Sequence, residues 1–281
     1  MEHNRIDMNY RTLTAQNQGL SDHFHIGYEM ILVTEGESVF TINDQIRHFN
    51  THSLIFINNL EKHRMQTYKT PYSRYIVIIE ADYFDSVMKD PALLSIFKIR
   101  PRDFKNGFQL HTDDVQPIQK LFETLSTIHE KKEAYWQIEF TAMLSQLMVL
   151  LYRGYRQHFP IQNIDKAEKR IFEIQAFIDE HFKKPISLEF LAEAFYVNKY
   201  YLAHSFKEIT GFTIKQYILL KKIAFAKNEL YFTEKSMTEV AMDSGFNSQS
   251  HFTRMFQQKE GKTPLQFRKH YRKKSGVSGT C

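Results

Sequence analysis

Apolar residues change their spacing along this chain, and the changes divide it. Over residues 1–80 they come in short runs or alternate in steps of two. Tyr28 to Thr34 is apolar and partly β-branched, Glu37 to Ile42 alternates, and Asn43-Asp44 offers a hairpin turn before Gln45 to Phe49. Ser53 to Ile57 and Arg74 to Glu80 follow. Such segments predict antiparallel strands closing into a sandwich or small barrel. From about Asp82 the period becomes helical. Asp82 to Met88 and Ala92 to Phe97 read as short helices around Pro91. Ile118, Leu121, Phe122, Leu125 and Ile128 then mark a helix starting near Asp113-Asp114. Another, from about Ala134 to Gln157, carries Ile138, Met143, Leu144, Leu147, Met148, Leu151 and Tyr152. Two consecutive helices predict an antiparallel pair, one face on the strands and the surplus apolar area available to a dimer.

Phe159-Pro160 to Asn163 breaks the helical pattern and reads as a linker. Asp165-x-x-Glu168 resembles a capping box, and Ile171, Ile174, Phe177, Ile178 and Phe182 form the apolar stripe of the helix that follows. Beyond Pro185 one pattern is written twice. Leu202, Phe206, Gly211 and Tyr217 recur 50 residues on as Phe252, Phe256, Gly261 and Phe267, while Ala192 and Ala241 are 49 apart. Each copy predicts a short helix, a tight turn and a second helix ending at a glycine. That is a helix-turn-helix, whose second helix fits the DNA major groove.

The caps and faces of each copy follow. Ser187 and Asn198 cap the two helices of the first copy, and Ser236-x-x-Glu239 and Ser248 those of the second. In the first, Tyr201, Leu202, Ser205 and Phe206 are expected inward, leaving Lys199, Tyr200, Ala203, His204 and Lys207 as an outward stripe. A long helix from about Ile214 to Tyr231 joins the copies. In the second, Phe252 and Phe256 turn inward and Gln249, Ser250, His251, Thr253, Arg254 and Gln257 outward. Arg254 has the donor fork for guanine O6 and N7, and Gln249 or Gln257 the donor–acceptor pair for adenine. Lys199, Lys207, Lys215, Lys259 and Lys262 suit phosphates, which fix register without reading sequence.

Charge sharpens this division. The net charge of the 281 residues is +5. Residues 1–164 hold 17 Lys+Arg against 19 Asp+Glu, a net of −2, and residues 165–281 hold 20 against 13, a net of +7. A basic C-terminal part on a slightly acidic remainder points to a polyanion partner for one domain. The single cysteine, Cys281, can form no internal disulfide, and no signal-like or membrane-length apolar run is seen, so a soluble cytoplasmic protein is expected. The boundaries expected are 1–158 for the strand-and-helix domain, 159–166 for the linker, 167–272 for the tandem helix-turn-helix domain and 273–281 for a basic, flexible tail.

In the strand region, His23-x-His25, Glu29 and Gly36 resemble the first motif of the cupins, a jelly-roll family, with His63 in place of a late second-motif histidine. The usual proline and glycine before that histidine are replaced by Asn58-Asn59. His23, His25, Glu29 and His63 are therefore candidate effector-pocket residues. They are read as polar liners of a non-enzymatic pocket, with no metal and no cofactor expected.

The C-terminal 100 residues resemble the AraC/XylS family of bacterial transcription regulators. The likeness rests on Ala192, Phe206-Lys207, Gly211, Ala241, Gly245-Phe246, Ser248, Phe252, Phe256, Gly261, Thr263-Pro264 and Phe267-Arg268. It implies an α+β multidomain chain: a cupin-like jelly roll with a helical hairpin, then an all-α domain of two helix-turn-helix units joined by a long helix. It also implies an effector-binding, dimerising N-domain that controls double-stranded DNA binding, with RNA polymerase as a partner if the protein activates. Family base readers map to Tyr200, Ala203, His204, Gln249, Ser250, His251 and Arg254. His204 and Lys222 stand where arginine is common, so the second copy is expected to dominate base reading. Phe24, Tyr28, Phe40, Phe49 and Phe56 suggest ring faces for a sugar effector. Two other readings stay open: a cupin metalloenzyme carrying a DNA-binding tail, and a regulator whose N-domain binds a protein.

Overall fold

A computed structural model describes residues 5–16, 27–100, 104–160 and 166–274, without the side chains of 166–168, 232 and 270–274. The chain divides into two compact units, Met1–Asp165 and Lys166–Cys281.

Among the described residues the first unit is built on six antiparallel strands: β1 (Ile6–Leu13), β2 (Tyr28–Ile42), β3 (Gln45–Phe49), β4 (Ser53–Ile57), β5 (His63–Ile79) and β6 (Gly107–Gln109). Their order is β1-β5-β2-β4-β6, with β3 beside β2. Asn43 and Asp44 both take positive φ, 47° and 64°, as a tight hairpin between β2 and β3 requires. Long β2 pairs with long β5 through a register shift around Val33 to Ser38.

That shift lets the sheet curl. Ile42 pairs with His63 and Glu29 with Ile78. In a flat pair Glu29 and His63 would lie about 40 Å apart, yet their side chains meet at 3.1 Å. The concave face buries Ile31, Val33, Phe40, Ile42, Phe49, Ile55, Ile57, Met65, Tyr72 and Ile76. The convex face buries Met8, Met30, Leu32, Phe56 and Val77 against four helices. These are α1 (Ala81–Val87), α2 (Pro91–Lys98), α3 (Thr112–Lys131) and α4 (Trp136–Gly154).

β1, β6 and the first half of β5 are absent from the hydrophobic pattern, for a physical reason. The buried positions that open β5 are His63, Met65 and Thr67, so alternation is present but largely polar. Ile138, expected on the broad apolar face of α4, is 65% exposed, and Tyr135 beside it is 80% exposed. Tyr135 takes φ 65° and starts the helix late, which turns its first residues outward. Phe159 is buried and packs against Tyr152, so the first unit extends through the start of the expected linker.

The second unit is helical: α5 (Lys166–His181), α6 (Leu188–Ala194), α7 (Lys199–Thr210), α8 (Ile214–Phe232), α9 (Met237–Asp243), α10 (Gln249–Glu260) and α11 (Pro264–Lys274). Residues 161–165, which include Asp165 of the capping box and most of the linker, lie outside the described residues, as does the side chain of Glu168. No helix among the described residues is long and apolar enough to cross a membrane.

Candidate functional site

Helices α7 and α10 are built alike, from the same local chemistry. Asn198 Oδ1 accepts from the Tyr200 and Tyr201 amides, and Ser248 Oγ from the His251 amide. These caps leave the first turn of each helix ordered and open to solvent. Each helix ends at a glycine in the left-handed region, Gly211 at φ 79° and Gly261 at φ 69°. Leu202 and Phe206 bury one side of α7, and Phe252 and Phe256 one side of α10. The opposite sides are exposed: Tyr200, Ala203 and His204 on α7, and Gln249, Ser250, His251 and Arg254 on α10. Lys199, Lys207, Lys215 and Lys259 are exposed and Lys262 partly so. Tyr201, expected inward, is 41% exposed and widens the aromatic surface of α7.

The two outer faces differ in freedom. Arg254 makes no hydrogen bond or ion pair with the described residues, and its guanidinium stands in a shallow concavity with Gln249, Ser250, Thr253, Gln257 and Gln258. Gln249 is tethered, because Thr238 Oγ1 donates to its Oε1 at 2.7 Å. The residue as a whole stays exposed. His204 lies 3.7 Å from Glu208 on its own helix, beyond hydrogen-bond distance, and stays exposed.

Three lysines tie helix α8 to α5 and to the second copy. Lys221 is buried 3.1 Å from Asp179 of α5, and Tyr217 donates to the same carboxylate at 2.8 Å. One residue on, Lys222 donates to the Gly245 carbonyl at 2.6 Å, in the turn between α9 and α10. Lys227 meets Glu260, at the end of α10, at 3.0 Å. The lysine at 222 is thus a strut of the second copy, a role invisible to spacing alone.

A second polar cluster lies inside the first unit. On the concave face Glu29 meets His63 Nε2 at 3.1 Å, while His63 Nδ1 faces the Glu61 carbonyl at 2.8 Å. Both ring nitrogens therefore point at acceptors. Burial pushes the His63 pKa down, but the Glu29 carboxylate and the Glu61 carbonyl outweigh it and hold the imidazole above its usual value. At the rim, buried Glu61 accepts from Arg100 Nε at 2.8 Å, from the Asn58 amide at 2.6 Å and from Asn106 Nδ2 at 3.3 Å. Deeper in, burial lowers the pKa of Arg74, opposed by Tyr72 and by the Glu29 charge.

A family model described as an AraC-like ligand binding domain matches residues 5–151, and a helix-turn-helix domain model matches 191–270. The first of these alone spans more than half the chain. The chain belongs to the AraC family of transcription regulators. Among relatives of this AraC-family chain, the HTH-type transcriptional activator RhaS of Enterobacter sp. (strain 638) is 20% identical over 247 residues, covering 88% of this chain and 87% of that protein. Regulatory protein SoxS of Escherichia coli (strain K12) is 34% identical over 101 residues, 36% of this chain and 94% of that one. Among solved structures, ToxT from Vibrio cholerae O395 superposes with a TM-score of 0.59 at 14% identity, over 97% of this chain and 99% of that chain. The chain thus has the AraC-family plan of a ligand-binding domain and a DNA-binding domain, and its relatives regulate transcription.

Of the four residues expected to line the AraC-type pocket, Glu29 and His63 come together on the concave face. His23 and His25 lie outside the described residues. Of the expected aromatic platforms, Phe40 and Phe49 face the concave side but pack edge-to-face on each other at 5.7 Å. Tyr28 and Phe56 belong to the convex core, and Phe24 lies outside the described residues. Sequence reading missed Glu61, Arg74 and Arg100. Hydrophobic spacing locates strands and helices but not the partners of a charged side chain, which only the folded sheet sets beside it.

The His63 pair makes a pH prediction. Because the folded state holds this imidazole above its usual value, its contribution is fully present below about pH 6.5 and is lost as pH rises through the folded value. Urea midpoints of the first unit should therefore fall as pH rises above about 6.5. Fluorescence of Trp136, the one tryptophan, reports them. His63→Gln should flatten this dependence; an unchanged slope would exclude His63 as its source.

Proposed function

We propose that this AraC-family protein is an effector-responsive transcription activator. In this reading α7 and α10 enter successive major-groove segments of one DNA site, about 34 Å apart. Residues 167–272 bind DNA, 1–158 bind the effector and dimerise, and 159–166 link the two. The supporting observation is the matched pair of capped helices, each with one buried aromatic side and one exposed polar side. RhaS, a relative over most of the chain, is itself named an activator, which supports activation and contact with RNA polymerase. The exposed Tyr135 and Ile138 offer apolar area for a homodimer.

On α10, Arg254 is assigned to a guanine, Gln249 to a neighbouring base through its free N–H groups, and Ser250 and His251 to adjoining contacts. On α7, Tyr200, Ala203 and His204 contact base edges and thymine methyls with less hydrogen bonding. Lys199, Lys207, Lys215, Lys259 and Lys262 hold phosphates. The effector lies on the concave face of the sheet, with Glu29 and His63 at one end and His23 and His25 assigned to the same pocket. A neutral sugar is the weaker effector reading, since Phe40 and Phe49 are engaged with each other.

Two variants test the assignment against DNA. Arg254→Ala should cost about 1–3 kcal/mol and relax selectivity at one base pair. Lys207→Ala should weaken all sequences alike and lower the salt slope by about one. Gel-shift titrations on a selected site and a scrambled one read both. Arg254→Ala binding both DNAs as the parent does would remove the guanine assignment.

A further inference from the structure

A cleft of about 230 Å³ lies on the helix-covered side of the sheet, away from the concave face. Ile96, Phe104 and Phe108 form its walls, and Lys105, Gln157 and His158 stand among them. Among the described residues no carboxylate lines it, and these three polar side chains make no hydrogen bond or ion pair with those residues. The backbone adds a donor. β6 ends the sheet, and Asn106 and Leu110 bond across to Phe56 and His52. Gly107, out of phase with them, turns its N–H and C=O away from β4 and also lines the cleft.

The imidazole at this cleft is held by a column of contacts. His158 stacks on Phe108 with ring centres 4.5 Å apart, and Phe108 stacks in turn on Tyr155 at 4.6 Å. Tyr155 Oη donates to Asp114 at 2.6 Å and accepts from the His111 amide at 2.8 Å. Supporting contacts of this kind fix a side chain for binding. Burial, with Lys105 and His111 nearby, holds the His158 pKa below its usual value, so at neutral pH the ring is uncharged. It then offers one donor and one acceptor, and the Gln157 amide offers both as well. One lysine charge, flat apolar walls and paired donors and acceptors suit a flat acid with polar atoms in its ring.

We propose that this cleft binds a single-ring heteroaromatic monocarboxylate, at a site separate from the concave face. Lys105 and the Gly107 N–H hold the carboxylate, Phe104 and Ile96 flank the ring, and His158 and Gln157 meet its heteroatoms. The volume falls below the roughly 300–1,000 Å³ of drug-sized sites, which limits the occupant to one ring. A single lysine charge matches a monoanion better than a phosphate dianion. Gln157, His158 and Pro160 belong to the last turn of the first unit before the linker. An occupant therefore ties that turn to the edge of the sheet.

Isothermal titration calorimetry on the full chain tests it, with nicotinate and orotate as probes. The controls are benzoate, which lacks ring heteroatoms, and nicotinamide and uracil, which lack the carboxylate. At least one probe acid should bind one to one with a Kd of about 1 mM or tighter, and about tenfold tighter than its controls. Lys105→Ala and His158→Phe should each weaken that acid about tenfold, since each removes a polar partner. His158→Phe keeps a ring on Phe108, so its urea midpoint without ligand should stay near that of the parent. Lys105 is exposed, so Lys105→Ala decides the matter if His158→Phe is destabilised. Binding that survives both substitutions places the acid elsewhere, the concave face included, and overturns the proposal. So does the absence of binding by either acid at millimolar concentration, with DNA binding intact. Benzoate or nicotinamide as tight as nicotinate, with uracil as tight as orotate, overturns the ligand class. None of these outcomes bears on an effector at the concave face, so the two sites fail separately.

Discussion

Replacing Gly245 with alanine is expected to abolish sequence-specific DNA binding while leaving the first unit folded. Gly245 lies in the turn between α9 and α10 at φ 79°, where a side chain is strained by about 1–2 kcal/mol. An added Cβ would also run into the backbone of Lys183, meeting its carbonyl oxygen and standing 2.7 Å from its Cα. Neither partner is a flexible side chain that could yield, so overpacking adds about 1–3 kcal/mol. The displaced turn would carry away the carbonyl that Lys222 holds and, with it, the start of α10 and Arg254. Gly211 and Gly261 are the internal controls. Both have positive φ, but an added Cβ meets nothing within 4 Å, so their alanine variants should cost only about 1–2 kcal/mol and keep selectivity. Circular dichroism should show the Gly245→Ala helical transition shifted down while the Trp136 transition stays put. Parent-like affinity and selectivity in a gel shift would show that the turn tolerates the methyl group.

Glu61→Ala is the other large effect, and it falls on the first unit. Its carboxylate holds Arg100, Asn106 and the Asn58 amide at once, and Asn106 also donates to the Phe56 carbonyl of β4. Removing it leaves the mostly buried Arg100 over the Phe104 ring, 4.4 Å from its centre, with the Ile96 and Ile99 carbonyls but no other carboxylate paired to it among the described residues. Breaking such a pair from one side costs about 3–5 kcal/mol. The expected result is a lower urea midpoint for Trp136 with an unchanged slope. Glu61→Gln keeps an acceptor for Asn58 and Asn106 and should lose less. A midpoint equal to that of the parent would mean water replaces the carboxylate at no cost.

The helical part of this fold was readable because its signals are local. Ser236, Ser248, Asn198 and Pro264 sit where cap chemistry demands, and the 50-residue offset of Leu202/Phe252 and Phe206/Phe256 coincides with the equivalent faces of α7 and α10. The strand part was readable only where one face is apolar. β2 and β4 showed themselves; β1 did not, because only Ile6 and Met8 of its eight positions are buried, nor did the first half of β5, whose buried positions include His63 and Thr67. The candidate sites divide the same way. Outward residues of α7 and α10 follow from helical geometry, so Arg254 could be named from spacing. The Glu29–His63 pair depends on a curl that brings distant strand positions together, and no local pattern encodes that. Tyr201 failed because α7 packs along a narrower stripe than its aromatic content suggests.

The three lysines of α8 bear on what DNA this protein can use. Lys221 fixes the helix to α5, while Lys222 and Lys227 fix it to the α9–α10 turn and the end of α10. On the other side Phe206 of α7 packs edge-on against Tyr217 of α8, ring centres 5.5 Å apart, so one shaft holds both recognition helices in phase. One residue added to that shaft would rotate everything beyond it by about 100°. Half-sites for one protein chain must then keep a constant separation along the duplex, and a single inserted base pair between them should be as damaging as a wrong base within either.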